Sequence, residues 1–188
     1  MKKTILFFGL FSSSFYFSQA ATEFKVTKDG FTDFIVTEVP GKTKEDIYTK
    51  TLEWVNKTYK NPKEVLKAEI LNDYIRIEGV TSGLSCYAPL GMPVCNDVKY
   101  QIEISVKDNK YKFDVIEMQE YVKSSQYSTG GWRSLMPNNN SEIYFKKDGS
   151  VKGGYKNYLN SIPDNFNSLN VDLKKYIETG VKSEKSDW

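Results

Sequence analysis

The sequence predicts a two-layer α+β domain: a five-stranded antiparallel sheet covered on one face by two helices, in the order β-α-β-β-β-β-α. Three observations carry this. Residues 99–118 read as one hairpin about Asp108-Asn109, with Val106 facing Tyr111, Ile104 facing Phe113 and Ile102 facing Val115 on an apolar face. Ser105, Glu103 and Gln101 then face Lys112, Asp114 and Ile116 on a largely charged one, so the sheet needs cover on one side only. A second hairpin repeats the pattern, and two segments repeat apolar residues at helical spacing to supply the cover.

In chain order, residues 1–20 read as a secretory signal peptide. Lys2 and Lys3 precede the apolar run 5–11, and Ser18-Gln19-Ala20 sets small residues before a cut after Ala20. The run is far short of the roughly 20 apolar residues a membrane span needs. Removing 20 residues from 188 leaves 168, which suits one domain, placed at 21–180, with a flexible tail at 181–188. The expected product is exported, periplasmic or secreted, without stable membrane insertion. Removing Lys2 and Lys3 leaves 24 basic residues against 24 acidic, a neutral balance that offers no footprint for nucleic acid or an anionic membrane.

Asp29-Gly30 marks a turn between a short extended piece at 23–27 and a main strand at 31–39. Thr43 with Asp46 forms a capping box that starts a helix over 44–59, where Ile47, Tyr48, Thr51, Leu52, Val55 and Tyr59 share one face. Asn61-Pro62 ends it. Strands at 65–71 and 74–80 then pair about Asn72-Asp73, setting Ile70 against Ile75, Ala68 against Ile77 and Leu66 against Gly79. Residues 81–97 read as a long connection closed by a disulfide between Cys86 and Cys95, nine apart, worth roughly 2–3 kcal/mol.

Beyond the central hairpin, whose second strand extends to about Val122, residues 124–142 show no periodicity. Residues 143–145 read as a short strand or turn. Leu159, Ile162, Phe166, Leu169, Leu173, Tyr176 and Ile177 then mark a second amphipathic helix, with Pro163 in its first turn, Ser161 and Asp164 as its cap, and Gly180 as its stop. Trp54, at the edge of the first apolar stripe, reads as core, and Tyr48, Tyr59, Tyr155, Tyr158 and Tyr176 read as core-edge residues.

Several stretches together resemble an exported bacterial family of unknown function, DUF4468, with a TATA-binding-protein-like (TBP-like) fold. They are Asp29-Gly30-Phe31, the run from Pro40 to Tyr48, Leu52-Glu53-Trp54-Val55, the strand from Ile75 to Gly79, and Tyr155 to Tyr158 with Leu159 and Ile162. The resemblance implies the fold and brings no activity or site residues with it. The fold's namesake bends DNA with its uncovered sheet face. Here Glu69, Glu78, Glu103 and Asp114 would lie on that face beside Lys67, Arg76 and Lys112, which argues against nucleic acid.

Function is therefore sought in side chains. There is no histidine to activate a serine or complete a metal site with two cysteines, so no metal or other cofactor is implied. The cross-strand carboxylates Glu103 and Asp114 are the one catalytic candidate, as acid and base of a hydrolase acting on glycan or peptide. Their alternative is a solvated face. In a meander, the connections after Val80 and after Val122 leave the sheet at the same end. This gathers Tyr87, Leu90, Met92, Tyr127, Trp132, Arg133 and Met136, a composition found at interaction hot spots. The alternative there is that some of these aromatics fold back to cap the core. The preferred reading is a non-catalytic module that binds an envelope protein or small ligand through this loop end. A purely structural envelope protein is the third reading.

Overall fold

The computed structural model describes residues 21–126, 129–135 and 141–181. Residues 1–20, where a signal peptide is expected, Tyr127, Met136 and the residues beyond Val181 lie outside them. Two short strands, β1 (Val26–Thr27) and β2 (Gly30–Phe31), pair with each other. They are followed by β3 (Phe34–Glu38), α1 (Lys44–Thr58), α2 (Pro62–Val65), β4 (Leu66–Ile70), β5 (Tyr74–Tyr87), β6 (Val94–Lys107), β7 (Lys110–Val122), β8 (Gly131–Ser134), α3 (Ser141–Tyr144) and α4 (Lys156–Thr179).

The main sheet is antiparallel with the order β3-β7-β6-β5-β4, and β8 joins as a sixth strand against β7. The central hairpin β6–β7 has the predicted register from Val106↔Tyr111 to Ile102↔Val115, with Glu103 opposite Asp114. Beyond that point Gln101 pairs with Glu117, not Ile116. The reason is parity. Tyr111, Phe113 and Val115 point inward at odd numbers, whereas Met118 points inward at an even one, so an extra residue must be absorbed as a bulge.

The turn of this hairpin also anchors the first helix. Asn109 takes a left-handed conformation (φ 66°), its side-chain oxygen accepts from Gly41 N–H at 2.8 Å, and Asp108 Oδ1 accepts from Lys44 N–H at 2.9 Å. The capping box predicted for Thr43 and Asp46 is present, with both bonds made.

The β4–β5 hairpin departs from its predicted register. Its loop is Leu71-Asn72-Asp73, with Asn72 left-handed (φ 58°) and Asp73 N–H donating to Ile70 O, so Ile70 pairs with Tyr74 and Glu69 with Ile75. One residue of slip exchanges the faces. Ile70 is exposed, and Glu69 lies on the helix side, where it accepts a 3.0 Å hydrogen bond from Tyr48 Oη. A bulge at Lys67 then returns Leu66 to a position opposite Ile77.

The predicted connection at 81–97 is instead mostly strand. β5 and β6 run past Val80 with a ladder irregularity between Thr81 and Ser85, then pair again through Ser85↔Asn96, Cys86↔Cys95 and Tyr87↔Val94. The disulfide Cys86–Cys95 thus staples two facing strand residues, and the true tip is the 3-10 turn Pro89–Gly91 with its flanks.

α1 and α4 lie on the apolar face. α1 buries Ile47, Tyr48, Thr51, Trp54 and Val55, and fully buried Trp54 donates from Nε1 to Asp172 of α4 at 2.8 Å. α4 begins at Lys156, so Pro163 sits inside the helix rather than in its first turn. It removes the hydrogen bond to Leu159 O, a loss that packing on both sides offsets. Ser161 is no cap; its hydroxyl donates to Leu84 O at 2.8 Å and ties α4 to β5. Gly180 ends α4 in a left-handed conformation, as predicted. Phe24, stacked on Phe31 and edge-on to Phe113 and Phe166, closes the core, and both backbone groups of Phe24 bond the Asn167 amide.

Candidate functional site

The uncovered face of the sheet can be read row by row from the register. Toward the central turn, Lys112 bonds Asp114 at 2.9 Å, and Glu103 Oε1 receives Arg76 Nη2 at 2.6 Å, Arg76 Nε at 3.0 Å and Tyr74 Oη at 2.6 Å. Lys67 reaches Glu78 at 3.2 Å. Partial burial alone would raise the Glu103 pKa, but the hydrogen bonds from Tyr74 and Arg76 and the nearby Lys112 charge outweigh it and hold the carboxyl below the ordinary glutamate value.

Glu103 and Asp114 are thus neighbours, as the pairing requires, but each is bound to a cation. Glu103, held ionised, has no proton to give at neutral pH, and with a cation on each carboxylate this arrangement fits a neutralised surface better than an acid–base pair. Among the described residues, no group of three or more His, Cys, Asp or Glu is placed to hold a metal ion.

The other end of the same face differs. Trp132 on β8 stands directly opposite Tyr121 on β7, their rings edge-to-face at 5.3 Å, and Lys99 Nζ lies 4.9 Å from the Trp132 ring centre. β8 can come this close because of Gly130 and Gly131. A Cβ on Gly130 would fall 2.7 Å from Ser124 N and 3.0 Å from Val122 O, both main chain, and Gly131 has φ 137°. Just beyond, the disulfide-stapled hairpin presents Leu90, 98% exposed, and Met92, 64% exposed, with Val80 on the uncovered face of β5 also exposed.

The predicted loop-end residues therefore separate into groups. Trp132, Leu90 and Met92 are exposed. Tyr87 turns the other way: it stacks on Tyr155 and meets Tyr158 edge-on, in a cluster with Tyr144 that caps the end of the core. Arg133 alternates with Trp132 and lies on the opposite side of β8, its Nη2 donating to Thr129 O at 2.9 Å. Tyr127 and Met136 are outside the described residues. Lys99 and Tyr121, which the sequence reading did not single out, complete the group around Trp132. Tyr121 carried a readable signal in the inward-facing Met118, which sets the parity that turns Tyr121 outward.

No curated protein matches the chain in sequence. In shape it is similar to a TBP-like protein from Parabacteroides distasonis, with a TM-score of 0.56 at 14% identity, covering 78% of this chain and 91% of that one. It is likewise similar to a DUF4468 family protein from Bacteroides ovatus, with a TM-score of 0.58 at 11% identity over 83% and 90% of the two chains. Residues 35–121 match the family described as "Domain of unknown function (DUF4468) with TBP-like fold". The resemblance read from the sequence is thus shown over residues 35–121, and the chain has the TBP-like fold of these relatives.

Proposed function

We propose that this protein is an exported, non-catalytic binding module that engages an envelope protein or a small ligand through the aromatic end of its sheet. One observation carries the reading: Trp132, Tyr121 and the tip residues Leu90 and Met92 gather large apolar side chains in water at one end of the sheet, beyond the ion-paired rows of Lys67, Arg76 and Lys112. Export is supported by the leader-like first 20 residues and by the Cys86–Cys95 disulfide, which persists in oxidising compartments. Among the described residues, no helix is long and apolar enough to cross a membrane.

The test is mild cross-linking in cells of the tagged protein beside a Trp132→Ala, Tyr121→Ala double variant and a Glu103→Gln control. The expected result is a stoichiometric partner captured by the parent and the control and lost by the double variant. Capture that survives the double variant, or is lost in the control alone, overturns the assignment to this end of the sheet.

A further inference from the structure

A second concave site lies away from the aromatic end, built by two hairpins far apart in sequence. After α3, Phe145 bridges to Val151, and Lys146 N–H donates to Ser150 O, folding residues 145–151 into a tight hairpin. Its turn is internally satisfied: Gly149 N–H donates to Lys146 O with φ 81°, and Asp148 Oδ1 accepts from both Ser150 N–H and Ser150 Oγ. Both bonds fall on one oxygen of the Asp148 carboxylate, which also feels the charge of Lys146 and so offsets part of it. The β1–β2 turn brings Lys28 against this hairpin. Between them is a depression of about 380 Å³ lined by Lys28, Lys146, Lys147, Lys152, Glu142 and Phe145.

Four of the five charged residues lining this depression are lysines. None of the four forms an ion pair with a described residue; Lys152 Nζ donates to the main-chain oxygen of Glu142 at 2.6 Å. On the uncovered sheet face, by contrast, Lys67, Arg76 and Lys112 each sit on a carboxylate. Like charges gathered around a concavity repel one another and focus a positive potential into it, which a bound anion relieves. The volume falls in the range of roughly 300–1,000 Å³ typical of small-molecule sites, and Phe145 supplies an apolar wall.

We propose that this depression binds a phosphate-bearing ligand of about sugar-phosphate size, its phosphate held by the lysines and its ring laid against Phe145. The ligand is either a soluble sugar phosphate or the headgroup of an anionic phospholipid; both present the same phosphate chemistry. The site is independent of the aromatic end of the sheet.

The test is a ¹H–¹⁵N NMR titration of the protein with glucose 1-phosphate and with inorganic phosphate, beside co-sedimentation with phosphatidylglycerol and phosphatidylcholine vesicles. The expected result is saturable, salt-weakened binding to at least one phosphate probe, with shifts centred on residues 28 and 145–152. Affinity should fall about tenfold in a Lys146→Ala, Lys147→Ala variant, at a few-fold per exposed charge. Lys67→Ala and Lys112→Ala should leave it unchanged. Should the double variant lose its fold by circular dichroism, Lys28→Ala, from the other hairpin, reads the same loss. Binding to glucose 1-phosphate without phosphatidylglycerol identifies the soluble source, and the reverse identifies the headgroup. No saturable binding to any phosphate probe, or binding that the variants leave intact, overturns the proposal.

Discussion

Gly79 pairs directly with Tyr100 across β5 and β6, and the tyrosine ring lies over the place a side chain would occupy. A Cβ built on Gly79 would sit 2.5 Å from Tyr100 Oη, 2.6 Å from Cζ and 2.8 Å from Cε2. The ring has nowhere to retreat: Tyr100 is buried, edge-on to Phe166 with ring centres 5.3 Å apart, and its hydroxyl lies 3.4 Å from that of Tyr59. In Gly79→Ala the added methyl overpacks the core, which costs about 1–3 kcal/mol. Replacing glycine inside a strand returns about 0.5–1 kcal/mol of chain entropy, because Gly79 is not left-handed. Taking the middle of each range, the net expectation is a loss of about 1 kcal/mol, read as a lower urea midpoint at unchanged slope, with the fluorescence of buried Trp54 as one probe of unfolding. In a Tyr100→Leu background the methyl has room, so the same substitution should become neutral or stabilising, giving a coupling between the two sites. Gly79→Ala as stable as the parent, or equally costly in both backgrounds, would refute this account of the glycine.

Two further outcomes follow from polar groups. Asn170 is buried, its amide donating to Thr37 Oγ1 at 3.0 Å and its Oδ1 accepting from Tyr111 Oη at 2.8 Å. Tyr111 Oη also donates to Asn170 O, at 3.1 Å, and the Thr37 hydroxyl also hydrogen-bonds Tyr111, so neither hydroxyl is orphaned when the Asn170 side chain is removed. Asn170→Ala should lose about 2–3 kcal/mol from the two side-chain hydrogen bonds it removes and the cavity it leaves, and Tyr111→Phe only about 1 kcal/mol, by urea unfolding; the reverse order would contradict the network. For Glu103, a folded pKa below the ordinary value of 4.5 means that its stabilisation is present above that value and is lost as pH falls through the folded pKa. Unfolding midpoints followed from about pH 6 to about pH 3 should fall less steeply with acidification in Glu103→Gln than in the parent, and identical slopes would show that the Arg76–Glu103 pair contributes nothing.

What could be read in the sequence were the parts governed by local periodicity. The central hairpin, the capping box at Thr43, both amphipathic stripes and the αL stop at Gly180 each follow from a few neighbouring residues. The departures arise where one residue changes parity. At Asn72 the choice between a two- and a three-residue loop turned Ile70 outward, and nothing in 65–80 alone decides it, because both registers pair apolar with apolar somewhere. Past Val80, Ser82 and Gly83 interrupt the alternation, so the resumed pairing at Ser85 was hidden, although two half-cystines that face each other across a ladder explain it afterwards. The usual position of proline places Pro163 in a first turn, whereas the helix runs through it, with Ile162, Pro163 and Phe166 buried and Ser161 bonded to Leu84 O. β8 has only four residues, and its pairing to β7 is set by a close backbone approach at Gly130 that no periodicity records. The prominence of Trp132 was therefore visible, but its companions Tyr121 and Lys99 were not.

β8 also gives the aromatic end a structural reason for its position. β3 covers β7 only from Lys110 to Asp114, leaving the remainder of a 13-residue strand with unpaired backbone on that edge. Exposed edges of this kind invite pairing with other chains, and short strands that cover them are the common remedy. β8 covers Gln119 to Val122. A four-residue strand of Gly-Trp-Arg-Ser has little apolar surface of its own with which to stay docked, so the Trp132–Tyr121 contact and the Lys99 ammonium over the indole supply much of its attachment. That demand accounts for one aromatic pair on this face. It does not account for Leu90 and Met92, which lie on a tip already closed by a disulfide, protect no edge, and stand in water at the same end of the sheet. The apolar surface that edge protection leaves unexplained is the part of this end on which the proposed binding role rests.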